Sequence, residues 1–270
     1  MLQLFPIFKK RMLLNVGIWI GFLAASILLF PTIPPFAVLL AGVVGTLVVI
    51  FMQYMHAVGT HNGLLNVLYN ELNAEGFVER YTPLLNVQVK NNQLYLMLRL
   101  HLSNAYCAQG RFDEAFSLLN ATEIKPDTQE KMQFARFAIT SNLCYCALQM
   151  NDLDAAQKHL DQLLALRAEL EEMQKSKPEK KRMTFSTALN EACMKFLKTG
   201  KADIEYLKTQ VQGNNTQQLH RITTSLWIAR AYLAENNRRE AEKLLKRIAE
   251  LAPNLYPGVC ARELLEKLPN

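Results

Sequence analysis

The chain opens with two long apolar runs. From Met12 to Met55, 44 consecutive residues carry no formal charge. Residues 12–30 form a run of nineteen, and residues 36–55 a second run of twenty. At about 1.5 Å per residue each helix would reach roughly 28–30 Å, the thickness of a bilayer's hydrocarbon core. Between them lies Pro31-Thr32-Ile33-Pro34-Pro35, whose three prolines remove backbone donors and stop a helix. So short a link predicts two antiparallel helices, a hairpin. After residue 55 the pattern changes. Valine becomes sparse, Leu, Ala, Glu, Lys and Gln dominate, and no alternating strand is found over the remaining 215 residues. The fold class expected is all-α: a two-helix transmembrane hairpin, then a soluble helical part.

Charge orients the hairpin. Lys9, Lys10 and Arg11 precede the first run and the turn has no charge, so the positive-inside rule places the N-terminus in the cytoplasm and returns the rest of the chain there. A cleaved leader would also start with basic residues, but this run exceeds a typical leader core and a second span follows within five residues. The topology fits a bacterial inner membrane, and an organelle membrane would look the same. Small residues recur every fourth position, at Gly17, Gly21 and Ala25 and again at Ala37, Ala41 and Gly45. That spacing predicts a close-packing stripe, within the hairpin or between protomers of a homo-oligomer.

In the soluble part three segments align without gaps, starting at Ser103, Cys144 and Ala229. Each has a small residue first, a turn former seven later (Gly110, Asn151, Asn236), and an alanine five beyond that (Ala115, Ala156, Ala241). Gly or Asn tolerates the left-handed backbone that ends a helix, and the small residues let two helices touch. The spacing therefore predicts tight helix pairs. Leu119, Leu160 and Leu245 fill the gap between successive pairs. A degenerate copy is expected around Gly200, with Cys193 in the small position, Phe196 as its aromatic, and Glu205 where alanine belongs. Another divergent pair is expected over residues 56–96, turning near Gly76 and interrupted by Pro83. Residues 257–268 predict a capping helix with Arg262, Glu263, Glu266 and Lys267 outward.

At these residues the chain resembles the tetratricopeptide repeat family. Tyr106 and Tyr232 match its first-helix aromatic, Phe112 its second-helix aromatic, and Pro253 its closing proline; residues 228–253 carry the fullest match. The resemblance implies an α-solenoid over residues 97–268, two to five repeats, with insertions between pairs because the turn anchors are spaced 41, 49 and 36 apart. It also implies a concave face of first helices, and a candidate peptide groove there comprises Leu100, Asn104, Tyr145, Leu148, Asn190, Leu197, Arg230 and Leu233. Some members clamp the acidic C-terminus of heat-shock chaperones with asparagines and basic residues. Asn104 and Asn142 fall on the asparagine positions, but Leu100, Thr187 and Glu191 occupy the basic ones, so an extended or helical peptide held by apolar contacts and amides fits better.

The net charge of +6 on 270 residues is too small and too spread to indicate a nucleic-acid partner. Five cysteines, an odd count, read as core thiols of a reducing compartment. Five scattered histidines form no zinc motif, and no phosphate loop or nucleophile elbow is present, so no enzyme, metal or cofactor is expected. Lys175, Lys177, Lys180, Lys181 and Arg182 crowd an insert at 169–182. This reads as a solvated connector stopped by Pro178, or as a contact with anionic lipid. The function expected is a membrane-anchored scaffold holding a protein or peptide partner at the cytoplasmic face of the bilayer. The alternative is a ligand- or peptide-responsive sensor, which would compact on binding.

Overall fold

The computed structural model describes residues 13–21, 23–25, 34–85, 92–123, 130–173, 177–211 and 217–268, and the description below concerns those. The described secondary structure is helical. An apolar helix α1 (Leu13–Ala25) is followed by α2 (Pro35–Tyr69), α3 (Ala74–Leu85), α4 (Asn92–Ala108), α5 (Phe112–Asn120), α6 (Glu130–Gln149), α7 (Leu153–Met173), α8 (Lys177–Thr199), α9 (Ile204–Val211), α10 (Gln218–Ala234), α11 (Arg238–Leu251) and α12 (Tyr256–Glu266).

Helix α2 is one continuous element of 35 residues, about 52 Å long, and it passes residue 55 without a break. Pro35 occupies its first turn, where a missing N–H is harmless. By length and composition Leu40–Tyr69 is able to cross a membrane. Among the exposed large apolar side chains, all but four lie between Leu13 and Met55. A chain in water does not present so dense an apolar surface without a partner. Trp19 lies against Gly45 and Leu23 against Gly42, so later residues of α1 meet earlier residues of α2. The small-residue stripe is divided. Gly45 takes part in this contact, whereas a Cβ at Gly17 or Gly21 would meet nothing within 4 Å. Gly42, outside the expected stripe, is the buried glycine among the described residues of α1 and α2.

The three aligned segments form the same local structure. The first helix of each pair ends at a residue of positive φ: Gly110 at 79°, Asn151 at 59° and Asn236 at 59°. In each, the next N–H reaches back five residues: Arg111 to the Tyr106 carbonyl, Asp152 to Ala147 and Asn237 to Tyr232, at 2.9, 3.0 and 2.8 Å. This pattern caps the orphan carbonyls of a helix end. Ser103, Cys144 and Ala229, and opposite them Ala115, Ala156 and Ala241, are all fully buried. The Cys144 thiol donates to the Ala156 carbonyl at 3.4 Å, a direct contact across one pair. Gly200 also turns with positive φ, 69°, but its own N–H bonds Phe196 at 2.7 Å. The copy at Gly200 thus closes by a simpler bond, and the described part of its second helix, α9, is eight residues long.

Three expectations are corrected. The chain turns between α2 and α3 at Leu72, φ 59°, not at Gly76, which lies inside α3; there Asn73 Oδ1 accepts the Gly76 N–H at 2.9 Å and caps the helix. Pro83 does not end α3, which runs to Leu85. Pro178 sits in the first turn of α8, the position proline tolerates, so residues 177–182 of the expected connector are helix. The capping helix α12 is present, with Arg262, Glu263, Glu266 and Lys267 exposed and Cys260 and Ala261 buried.

The largest core cluster joins distant parts of the chain. Leu68 and Tyr69 of α2, Phe77 and Tyr81 of α3 and Leu98 and Leu102 of α4 pack with Leu226 of α10, Ile248 of α11 and Ala261 of α12. The last helices therefore close onto the first ones.

Candidate functional site

Two chains of hydrogen bonds run between the helices that carry the expected groove residues. One begins at α6. Asn142 Nδ2 donates to Asn104 Oδ1, Asn104 Nδ2 donates to the Tyr69 hydroxyl at 2.6 Å, and that hydroxyl lies 2.9 Å from His101 Nδ1. Since Tyr69 accepts from Asn104, its proton points to His101, whose Nδ1 then accepts. The ring is suited to this, because burial and the neighbouring His61 push its pKa down to about 3 and keep it neutral. Rings close the cluster: His220 stacks on Tyr69 at 5.8 Å, and His61 lies 6.0 Å from His101. The sequence separates these histidines widely, and the fold gathers three of them where α2 meets the repeats.

The second chain links α10, α12 and α6. Arg230 donates to the Tyr256 hydroxyl at 3.3 Å, Tyr256 to Gln149 Oε1 at 3.4 Å, and Gln149 Nε2 to the Tyr145 hydroxyl at 2.8 Å. Arg230 also lies over Trp227, 5.1 Å from the ring centre. The Tyr256 ring meets Phe112 edge-on at 4.8 Å and covers Gly110, where a Cβ would come within 2.8 Å of it. Burial pushes the Tyr145 phenol well above its ordinary value, so it stays protonated and hydrogen-bonding. Between the two chains Cys107 Sγ lies 3.4 Å from Cys146 Sγ, a thiol contact that, with burial, raises the Cys146 pKa.

The expected groove residues are thereby sorted. Asn104, Tyr145 and Arg230 are half-buried and held by the contacts above; Leu100, Leu197 and Leu233 are half-buried apolar positions. Leu148 and Asn190 are each only 2 % exposed. Asn190 Nδ2 donates to Ser141 Oγ at 3.0 Å and to the Ser186 carbonyl at 3.0 Å, which makes it a link between α8 and α6. Asn104 and Asn142, aligned with a peptide clamp by sequence, are bonded to each other and to Tyr69. Lys175 lies outside the described residues; Lys177, Lys180, Lys181 and Arg182 are on the first turns of α8, but their side chains also lie outside.

Sequence reasoning missed Tyr69 and Tyr256. Tyr69 carries no local signal, since it is merely the last residue of an apolar helix. Tyr256 precedes Pro257 and Gly258, a turn signature that marks a closely packed backbone. Chemically the face offers amides, phenols, thiols and a neutral imidazole, a set suited to recognition through hydrogen bonds and apolar contact. Among the described residues no group of three or more His, Cys, Asp or Glu is placed to hold a metal ion.

A concavity lies beside the last helix pair. It has a volume of about 510 Å³ and is lined by the end of α9 and by the facing sides of α10 and α11.

Comparison with known families finds a tetratricopeptide repeat at residues 224–254. This span holds the second half of α10, the Asn236 turn and all of α11. No curated protein and no solved structure matches the chain.

Proposed function

We propose, starting from a chain that carries a tetratricopeptide repeat at residues 224–254, that this protein is a membrane-anchored scaffold holding a protein partner at the cytoplasmic face of the bilayer. The observation that carries this reading is the continuity of α2 (Pro35–Tyr69). Its first half presents apolar side chains outward, and its last residues are built into the core of the helix pairs. One rigid helix thus joins a lipid-facing surface to a recognition module. In the scaffold reading, α1 and α2 form a hairpin with both ends cytoplasmic, as Lys9, Lys10 and Arg11 favour.

The partner contacts the half-buried members of the inner face: Leu100, Asn104, Tyr145, Leu197, Arg230 and Leu233. Because Asn104, Tyr145 and Arg230 also hold the fold, the test uses two variants. Crosslinking in native membranes compares the full chain with Asn104→Ala/Tyr145→Ala/Arg230→Ala and with Leu100→Asp/Leu233→Asp, each checked for unchanged thermal unfolding. Loss of one discrete crosslinked protein in a folded variant is the expected result. An unchanged pattern in both variants would exclude the inner face, and no discrete crosslink to the native protein would overturn the scaffold reading itself.

A further inference from the structure

Two cysteines meet across the seam between α4 and α6. Cys107 Sγ lies 3.4 Å from Cys146 Sγ, although 39 positions separate them in the chain. One turn earlier on both helices, Asn142 Nδ2 donates to Asn104 Oδ1 across the same seam. The offsets of the two contacts are 38 and 39 positions, so the helices run side by side in the same direction and hold the sulfurs opposite each other. The two thiols differ in exposure. Cys146 is fully buried, whereas Cys107 is half-buried and open to a small solute. Cys107 also sits in the last turn of α4, where its carbonyl accepts the Gly110 N–H at 3.1 Å. Cys144, two residues before Cys146, is turned to α7 and donates to the Ala156 carbonyl at 3.4 Å. A disulfide needs its sulfurs about 2.05 Å apart. Closing the gap takes about 1.4 Å of movement, which rotation of two cysteine side chains at a helix end can supply.

We infer that Cys107 and Cys146 are a reversible dithiol–disulfide pair, oxidised by a peroxide, that locks α4 to α6. The inference goes beyond the scaffold reading and does not depend on it. The Cys107 sulfur attacks one peroxide oxygen; the O–O bond breaks, water leaves, and Cys107 becomes a sulfenic acid. The Cys146 sulfur then attacks the Cys107 sulfur. The S–S bond forms as the S–O bond breaks, and the hydroxyl leaves with the Cys146 proton as water. Two electrons in all pass from the thiol pair to the peroxide. A small dithiol reverses the change by exchange, becoming a disulfide itself and returning both protons. Burial and the Cys107 contact hold Cys146 as the protonated thiol, which guards it against direct oxidation and leaves it to react with the sulfur it touches. Disulfides that form in a reducing compartment are characteristically transient and sensing. The bond ties together the two helices that bear Asn104, Asn142, Tyr145 and Gln149, and so stiffens the contacts these side chains make.

The test treats the reduced full chain in detergent with hydrogen peroxide, blocks the remaining thiols with N-ethylmaleimide, and maps linked peptides by mass spectrometry without reduction. A Cys107–Cys146 peptide is expected in the band that migrates as one chain, at least about tenfold more abundant than any other pairing and lost on adding dithiothreitol. In concentrated urea that selectivity is expected to vanish, because it comes from the packing of α4 on α6. Cys146→Ala removes the second thiol without placing a polar group in the core; there Cys107 is expected to stop at the sulfenic acid and to be labelled by dimedone. Hydrogen exchange at the end of α4 and the Gly110 turn is expected to slow on oxidation and to recover on reduction. The inference is overturned if the native protein yields no Cys107–Cys146 peptide, if the peptide forms with equal selectivity in urea, or if Cys107 pairs chiefly with a second chain. Exchange in α4 that oxidation leaves unchanged would also overturn it. The mapping needs no partner, so its failure leaves the scaffold reading standing, and absence of a partner crosslink leaves this pair standing.

Discussion

Gly258→Ala sets helix propensity against packing, and the two predict opposite signs. Gly258 is the third residue of α12. Alanine in place of glycine favours a helix by up to about 1 kcal/mol, and by less in a first turn. The position, however, faces the end of α11. A Cβ there would clash with the Ala252 carbonyl oxygen and lie 2.7 Å from its carbon, with the Pro253 Cα at 3.4 Å. These are backbone atoms, which cannot rotate away as the tip of a side chain can. Relief therefore requires α12 to move, and Tyr256, two residues before, moves with it, off Phe112 and away from Arg230 and Gln149. Overpacking of this kind costs about 1–3 kcal/mol. With a backbone obstacle the upper part of that range applies, and subtracting the propensity gain leaves a net loss of about 2 kcal/mol. For a chain of this size that lowers the melting temperature by about 4–8 °C. The assay is thermal unfolding of the full chain in detergent, followed by far-ultraviolet circular dichroism, with the exposed Val259→Ala as control. A Gly258→Ala protein that melts at or above the native temperature would refute the reasoning and leave propensity as the governing effect.

Ala241→Leu, at a fully buried contact between α10 and α11, is expected to destabilise by roughly 1–3 kcal/mol; unchanged unfolding would count against the helix pair. His101, neutral in the fold with a pKa near 3 against an ordinary 6.5, takes up a proton more readily when the chain unfolds. Its contribution is full above about pH 6.5 and is lost as pH falls toward 3, by up to about 1.4 kcal/mol at pH 5.5. His101→Asn should flatten the pH dependence of unfolding between about pH 7.5 and 5.5, and identical slopes would remove His101 as its source. Burial pushes the Cys144 thiol up to about 12, so pulse alkylation of the folded protein should modify half-buried Cys107 well before Cys144; equal rates by mass spectrometry would contradict the burial.

The helix pairs were legible in the sequence because a tight helical turn is a local event. A residue able to take positive φ, with small residues at fixed distances on either side, is enough to specify it, and Gly110, Asn151, Asn236 and the six buried small residues do so within thirteen-residue windows. The degeneracy of the copy at Gly200 was legible too, in the Glu205 that breaks its pattern. The apolar character of residues 12–55 needs no structure at all, since composition alone decides which solvent suits it. What the sequence could not show was which internal contacts already hold these side chains. Asn104, Asn142 and Arg230 have the composition of a binding surface, and only the tertiary structure reveals that Tyr69 arrives from α2 and Tyr256 from α12 to occupy them. Tyr69 and Asn104 are 35 positions apart, and Tyr256 and Gln149 107. Contacts at such separations depend on the cumulative angle between successive helix pairs, a sum of many small packing choices with no local signature.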